Sequence, residues 1–230
     1  MDERKVLATV EKLFPSFKHK ILTGLQQPEE TDKSKKGGVD APIVDLIELI
    51  NNSIDYVTTS SCSGRVSIFV AKPEHTKSSG EWLFISHDQI KSFEEIQNCF
   101  TNISEYPEKT LISFKFEPFI VHVMCRSLQA ARKLHHLVSE CGFKNSGITV
   151  GKNKIVLAIR STILLDVPIA YDGQKLVDEN YLIYLMNVAN QKFVENVNRI
   201  NKLTEGIKSI VLPKNQGVIV EEGIDQSENV

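Results

Sequence analysis

The segment at 111–125, LISFKFEPFIVHVMC, alternates apolar and polar side chains and restricts the fold more than any other part of the chain. In a strand, its Ile112, Phe114 and Phe116 share one face, while the polar residues between them share the opposite face. Pro118 has no N–H for a ladder hydrogen bond, so we expect two strands that meet near this residue. The segment therefore predicts a sheet with one apolar face.

Residues at helical spacing lie on both sides of this segment. Asp40 is expected to cap the first helix with its side chain. The stripe that this helix would bury, at the spacing i, i+3, i+4 and i+7, consists of Ile43, Leu46, Ile47 and Ile50. Further helices are expected at about 88–100, at 127–142 with Ser127 as the cap, and at about 178–203.

Further strands complete an α+β pattern. Residues 56–70 are rich in β-branched and aromatic side chains but are interrupted by Ser63-Gly64, so we expect strands on either side of a turn there. A strand is also expected at 81–86, and a pair at 148–150 and 154–161 would be joined by a tight turn. The pattern indicates an α+β protein.

Several classes of protein are not supported by the sequence. No segment approaches the roughly 20 apolar residues of a membrane span, and the charged start MDERKVLATV is unlike a signal peptide. The spacing of the four cysteines fits neither a redox pair nor a zinc site, so no metal is expected. The glycine fingerprints of dinucleotide and nucleoside triphosphate binding are also missing. We therefore expect a cytoplasmic protein with reduced thiols.

The segment TTSSCSGR at 58–65 is the first candidate site. Its hydroxyls and the backbone N–H groups of a turn can hold an anion, and Arg65 can bind a carboxylate or phosphate through two parallel hydrogen bonds. The alternative is a solvated turn whose hydroxyls bond their own backbone. Cys62 would need a base and a lowered pKa to act as a nucleophile, so we expect only a half-buried thiol.

His87 is the second candidate, because it follows the expected strand at 81–86. Catalytic groups often lie at such strand ends, and imidazole is the usual general base near neutral pH. The alternative is an exposed histidine near the start of the next helix. Lys115 and Glu117, two residues apart on one strand face, are expected either to pair with each other or to line a polar cleft.

The charge is distributed unevenly along the chain, although its formal total is only −2. Residues 109–160 hold nine basic and two acidic side chains, whereas the segments on either side are acidic. A basic stretch of this kind can form one surface for a phosphate backbone. The alternative is that these charges point to several different faces.

Six phrases in collinear order resemble one family, the third-step wybutosine-synthesising proteins of tRNA modification. The match spans roughly residues 36–203. The phrases are TTSSCSGR (58–65), WLFISHD (82–88), FKFEPFIVHVMCR (114–126), GFKNSGITVGK (142–152), AIRST (158–162) with LDVP (165–168), and NVANQKFVENVNRI (187–200).

The resemblance implies methyl transfer from S-adenosylmethionine to the N4 nitrogen of a 4-demethylwyosine-type base. That base lies next to the anticodon of phenylalanine tRNA, and other enzymes of the pathway are further candidate partners. The implied fold is α+β, with duplicated helix/strand halves, mixed sheets and swapped strands, and not a Rossmann methyltransferase. A non-catalytic module that presents the anticodon loop to another enzyme remains the alternative.

The resemblance also implies a set of site residues and a division of the chain. His87 is the candidate catalytic base. The implied cofactor-binding residues are Ser60, Ser61, Ser63, Gly64 and Arg65. The implied substrate-binding residues are Lys115, Asn145, Ser146, Arg160 and Ser161. We expect a peripheral helix and linker at 1–35, the tRNA wybutosine-synthesising domain at 36–205, and a flexible acidic tail at 206–230.

Overall fold

The computed structural model describes residues 3–25, 38–71, 80–100, 103–106 and 108–211. The expected flexible tail beyond residue 211 lies outside these residues, as does most of the linker. None of the helices described is long and apolar enough to cross a membrane.

Five α-helices and seven strands make up this part of the chain. The helices are α1 (Glu3–Leu25), α2 (Val44–Asn52), α3 (Glu94–Gln97), α4 (Leu128–Glu140) and α5 (Glu179–Val211). The strands are β1 (Tyr56–Ala71), β2 (Gly80–Ser86), β3 (Leu111–Cys125), β4 (Gly147–Val150), β5 (Ile155–Arg160), β6 (Leu165–Tyr171) and β7 (Gln174–Lys175). Short 3₁₀ turns lie at Ala41–Ile43, Asn98–Phe100 and Ile103–Glu105.

All seven strands belong to one sheet. Its main order is β2-β1-β3-β5-β4, and β6 pairs with β3 and carries β7. On the side of β3 that does not pair with β1, Ile120–Cys125 pairs with β5 and Leu111–Phe116 pairs with β6. The α+β, non-Rossmann class is therefore confirmed. Among the described strands every pairing is antiparallel, where the sequence suggested mixed sheets.

Each of the two longest strands runs unbroken through the point where the sequence predicted an interruption. Gly64 of β1 lies directly opposite Pro118 of β3 in the register. The prediction of a turn at Ser63-Gly64, and of two strands meeting at Pro118, was therefore wrong. Glycine and proline usually end strands, but here they face each other, so both strands bend at one place and continue. Gly64 adopts a positive φ of 109°, which other residues rarely tolerate.

The bend separates two hydrophobic cores. The first core contains Phe119, Val121 and Val123 of β3 with residues of α2, α4 and β5. The second core contains Ile112, Phe114 and Phe116 of β3 with residues of β1, β6 and the 3₁₀ turns. The β3 residues that enter these two cores thus change from even to odd numbers between Phe116 and Phe119. The same strand therefore serves two cores, as expected for halves that exchange strands.

Helix α5 packs against both cores. Leu182, Leu185 and Phe193 belong to the second core, and Ile200 and Leu203 belong to the first. The helix predicted at about 178–203 is confirmed, and Asp178 caps it by accepting a hydrogen bond from the Tyr181 N–H at 2.8 Å. The helix continues to Val211, beyond the predicted end at about residue 203.

Asn196 lies between the two groups of apolar residues on α5. Its side chain is 1% exposed. Its Oδ1 accepts a hydrogen bond from the Phe119 N–H at 2.9 Å, and its Nδ2 donates to the Ser63 carbonyl at 2.7 Å. These two bonds join β3 and β1 beside the bend, and a Cβ at Gly64 would lie only 3.0 Å from Nδ2. Asn196 therefore holds the bent strands to the helix that covers them.

The predictions for α2 and α4 are confirmed, whereas the prediction for residues 88–100 is not. The buried stripe of α2 is confirmed, as is the cap of α4, where Ser127 Oγ accepts a hydrogen bond from the Ala130 N–H at 3.1 Å. The helix predicted at 88–100 is wrong, because only Glu94–Gln97 is α-helical and a 3₁₀ turn follows it. The Asn190 side chain bonds both the N–H and the carbonyl of Ile90, which replaces the bonds of a helical backbone.

Helix α1 packs against the first core through Val10. Phe14 of the same helix packs with Val57 and Met124. Lys18 donates hydrogen bonds to the carbonyls of Ser53 and Tyr56, and burial lowers the pKa of its amine. The division of the chain at residues 35 and 205 stays a prediction.

Replacing Asn196 by alanine should lower the free energy of unfolding by about 2–3 kcal/mol, because the buried Phe119 N–H and Ser63 carbonyl lose their partner. Urea denaturation measures this change. The control is Asn201→Ala, an exposed position on the same helix, where we expect less than about 0.5 kcal/mol. Equal effects of the two substitutions would contradict the role given to Asn196.

Candidate functional site

A cleft of about 700 Å³ lies between α5 and the loop that follows β2. We call it the central cleft. Its polar lining residues are Ser63, His87, Asp88, Gln89, Lys91, Asn196 and Asn198. The fold therefore places the candidate base His87 in one cavity with Ser63 of the hydroxyl-rich segment.

Asp40 lies beside these two residues and was not recognised as a site residue from the sequence. Its carboxylate Oδ2 accepts a hydrogen bond from the Ser63 N–H at 2.7 Å and lies 3.9 Å from His87 Nε2. Its side chain is 7% exposed. Together, Asp40, Ser63 and His87 form a polar cluster next to Gly64 of β1.

The prediction that Asp40 caps a helix with its side chain was wrong. It precedes the 3₁₀ turn Ala41–Ile43, and its side chain makes no capping hydrogen bond. A capping side chain accepts from one of the first N–H groups of the helix. Pro42 has no N–H, and the Ile43 N–H already bonds the Asp40 carbonyl. The carboxylate instead accepts its hydrogen bond from the Ser63 N–H of β1.

Cys62 completes a set of three groups with Asp40 and His87, whose ligand-type atoms all lie within 4.8 Å of one another. Such a set has the composition of a metal site. However, burial raises the pKa of the Cys62 thiol, which disfavours the thiolate that binds metals or attacks carbon. The half-buried thiol expected from the sequence is observed. The expectation that no metal is bound stays a prediction.

Ser63 carries a buried hydroxyl that has no hydrogen-bond partner among the described residues. Leaving a buried hydroxyl unpaired costs about 1–3 kcal/mol. Since Ser63 also lines the central cleft, its hydroxyl could pair with a polar group of a molecule bound there. Neighbouring Gly64 has no space for a side chain, because an added Cβ would lie 3.3 Å from the Glu117 carbonyl.

The other residues of the hydroxyl-rich segment do not line the central cleft. Ser60 and Ser61 are exposed, and Ser60 Oγ lies 2.9 Å from His122 Nδ1. Arg65 Nε donates a hydrogen bond to Glu117 Oε2 at 2.6 Å, and its guanidinium stacks 4.6 Å from the centre of the Trp82 ring. Within this segment, Ser63 therefore lines the central cleft, whereas Ser60, Ser61 and Arg65 do not.

A second, smaller cleft of about 330 Å³ lies along β3 and the segment between β5 and β6. We call it the outer cleft. It contains three of the residues expected to bind substrate, namely Lys115, Arg160 and Ser161. Lys115 Nζ donates to Asp166 Oδ2 at 2.7 Å, and Ser161 Oγ accepts from Arg199. Lys115 and Glu117 thus line a cleft, one of the two alternatives, and do not pair with each other.

Asn145 and Ser146 lie apart from the outer cleft. The buried Ser146 Oγ accepts a hydrogen bond from the Arg160 N–H at 3.2 Å, so it supports the end of β5. The Ser146 carbonyl also contacts His135 Nε2 at 3.1 Å. Asn145 is exposed beside it. A direct role of these two residues in substrate binding stays a prediction.

The basic residues of 109–160 lie at several places and not on one surface. Arg126 is near Glu11 and Asp55, at 3.9 Å and 4.0 Å. Arg132 and Lys144 line an open groove beside α4. Lys115 and Arg160 lie in the outer cleft, as described above. Each of these places therefore offers an RNA backbone fewer basic side chains than the nine of residues 109–160.

Three comparisons relate this fold and its sequence to known proteins. A family model described as Methyltransferase TYW3 matches residues 16–209. The tRNA wybutosine-synthesizing protein 3 homolog of Danio rerio is 40% identical over 189 residues, which cover 80% of this chain and 73% of that protein. The tRNA wybutosine-synthesizing protein 3 of Schizosaccharomyces pombe is 35% identical over 206 residues, which cover 85% of this chain and 86% of that protein.

Solved structures from two archaea share the fold. A Pyrococcus horikoshii protein is 30% identical, has a TM-score of 0.74, and covers 86% of this chain and 98% of its own. A hypothetical protein from Aeropyrum pernix, 23% identical, has a TM-score of 0.63 and covers 75% of this chain and 99% of its own. The second resemblance concerns the fold alone.

Replacing Arg160 by glutamine should raise the pKa of His122. Burial is the main cause that lowers this pKa, and the positive charge of Arg160 lowers it further. Removing that charge makes protonation of the imidazole easier, so His122 should take up its proton at a higher pH. Titration of the histidine ring signals by NMR measures the shift. Arg132→Gln is the control, and an unchanged or lowered pKa in Arg160→Gln would contradict the arrangement.

Proposed function

The chain belongs to the methyltransferase TYW3 family, and we propose that it transfers a methyl group from S-adenosylmethionine to phenylalanine tRNA. The acceptor is the N4 nitrogen of the 4-demethylwyosine-type base next to the anticodon, in the biosynthesis of wybutosine. Family membership favours this enzyme over the alternative of a non-catalytic module that presents the anticodon loop. We propose a cytoplasmic location and no membrane partner.

The observation that carries the proposal is the grouping of His87, Asp40 and Ser63 at the central cleft. An imidazole next to a buried carboxylate is suited to accept a proton. The cavity, of about 700 Å³, falls in the range of small-molecule sites. A surface that only presented RNA would not require this combination.

The central cleft also fits the cofactor. The unpartnered hydroxyl of Ser63 can bond a polar group of S-adenosylmethionine. When bound, S-adenosylmethionine supplies a methyl group on a positively charged sulfur, which departs as a neutral thioether. Of the predicted cofactor-binding residues, Ser63 is therefore our first choice. Ser60, Ser61 and Arg65 do not line the central cleft, and their positions are as compatible with contact to tRNA as with cofactor binding.

His87 would act as the general base. Asp40 Oδ2 lies nearest to Nε2, at 3.9 Å, and its negative charge favours a proton on that nitrogen. The imidazole would accept the proton that N4 loses as N4 bonds the methyl carbon. The Asp40 carboxylate then stabilises the imidazolium. Alignment of the two reactants in the cleft contributes most of the rate, and proton removal typically adds a factor of about 10²–10⁴.

The outer cleft would hold the neighbouring part of the tRNA. Lys115 and Arg160 can meet phosphates, and Ser161 can donate to phosphate or ribose oxygens. A base in a single-stranded loop can leave the stack and be read on its edges. Lys115 is paired with Asp166, so phosphate binding there would have to compete with that carboxylate.

The purified chain, with S-adenosylmethionine and phenylalanine tRNA that lacks the N4 methyl, should yield a nucleoside heavier by one methylene. Mass spectrometry of the digested tRNA detects it. His87→Ala should reduce kcat by at least about 100-fold, whereas His19→Ala, exposed on α1, serves as the matched control. Wild-type protein that binds the tRNA but forms no product would contradict the proposal.

The substitution Asp40→Asn tests the charge of Asp40, because it removes that charge and keeps an oxygen for the hydrogen bond. An asparagine oxygen can still accept from the Ser63 N–H, so the strand should keep its position, but the imidazolium of His87 loses its counter-charge. We expect kcat to fall by about 10-fold or more, with little change in the KM for tRNA.

Asp40→Ala removes both interactions and should also lower stability, as measured by urea denaturation. Equal kcat values for wild type and Asp40→Asn would show that the carboxylate does not act through His87. The two substitutions thus distinguish an electrostatic role of Asp40 from a structural one.

A further inference from the structure

The single tryptophan of the chain, Trp82, lies on β2 with 42% of its surface exposed. Two neighbours fix the orientation of its ring. Phe69, its register partner on β1, has its ring centre 4.6 Å away at an interplanar angle of 54°. The Arg65 guanidinium lies 4.6 Å from the Trp82 ring centre and is held by Glu117. Trp82 is thus a large apolar surface that is both exposed and held in place.

The backbone of the hairpin accommodates this arrangement. At Gly80 an added Cβ would lie 1.9 Å from Cζ of the Phe69 ring, so only glycine lets this ring lie across the strand. Lys115 Nζ lies 5.9 Å from the centre of the same ring. Lys115 also lines the outer cleft, so it connects the aromatic pair to that cleft.

Aromatic rings combined with guanidinium and ammonium groups are typical of surfaces that bind unpaired nucleotides. Bases stack on aromatic side chains and on arginine planes, and cationic groups nearby contact the phosphates. Arg160, which lines the outer cleft and is exposed, adds a further positive charge. The combination of an exposed aromatic ring with several cationic groups fits single-stranded RNA better than it fits an apolar protein surface.

We infer that Trp82, with Phe69 and Arg65, is a stacking surface for an unpaired base of the substrate tRNA. The inference rests on the proposed function, because that function supplies an anticodon loop as the partner. The stacked base is a neighbour of the methylated base and not that base itself. Trp82 precedes His87 by five residues, which corresponds to roughly 16 Å along a strand. A base stacked on Trp82 therefore leaves the central cleft to the reacting base.

The fluorescence of Trp82 gives a direct test, since no other tryptophan contributes to the emission. The probe is an RNA stem-loop with the anticodon arm sequence of phenylalanine tRNA, made without modified bases. Stacking should quench the emission in a saturable way, with the same Kd that fluorescence anisotropy of end-labelled RNA gives. RNA binding without quenching would overturn the inference, as would equal quenching by S-adenosylmethionine alone.

Substitutions at this position test the energetic contribution. Trp82→Ala should weaken RNA binding and raise the KM for tRNA by about 10-fold, the usual size of one base–aromatic stack, while kcat changes little. Trp82→Phe should recover part of the affinity. Ile85→Ala is the matched control, because Ile85 lies on the same strand, is 45% exposed and has no aromatic ring.

The two proposals can fail separately in these experiments. Unchanged RNA affinity in Trp82→Ala, with circular dichroism showing a folded protein, overturns the stacking surface even if methyl transfer is normal. Absence of methyl transfer by the wild-type chain overturns the proposed function. In that case RNA-dependent quenching of Trp82 would still support the binding surface.

Discussion

The structure depends on the pair of hydrogen bonds that Asn196 makes beside the bend in β1 and β3. Proline at 118 has no N–H, so the ladder between the two strands is incomplete where they turn from one core to the other. Asn196 bonds the backbone of both strands beside this place, from a helix that packs against both cores. Without that contact, the Ser63 carbonyl and the Phe119 N–H would lose the side chain that ties them to α5. The central cleft lies against the same residues, so its geometry follows from this junction.

The bend also explains why the hydroxyl-rich segment serves two places. Regular alternation would send every second residue of β1 to one face. The positive φ of Gly64 interrupts this regularity, so that Ser63 lines the central cleft while Arg65 turns toward Glu117 and Trp82. A continuous stretch of eight residues in the sequence thus contributes to two surfaces. Each surface acquires the rest of its residues from distant parts of the chain.

Much of the fold followed from periodicity, because burial of one face imposes the spacing directly. The stripe of α2, the Ser127 cap and the apolar face of 112–116 are local patterns of this kind. The bend was missed because glycine and proline were interpreted one segment at a time, and their register across two strands is a long-range fact. Strand β6 was missed as well, since its residues are only partly apolar and Pro168 interrupts them.

For the candidate site, the sequence indicated His87 and Ser63 but not what brings them together. Asp40 was interpreted as a helix cap, since aspartate before an apolar stripe usually is one. The proline that follows removes a capping donor, and this detail was visible in the sequence but was not used. The separation of Asn145 and Ser146 from the outer cleft could not be foreseen, because it depends on how β4 and β5 pair.

The path of β1, β3 and α5 through both cores has a consequence for the cooperativity of folding. Neither half contains a complete set of its own strands, so neither can bury its apolar surface before the other has formed. Pairs such as Tyr56 with Cys125 join residues that are far apart in the chain. Topologies dominated by such contacts fold slowly. The two cores are therefore best regarded as one thermodynamic unit, in which the reactive cleft cannot loosen locally without weakening the whole molecule.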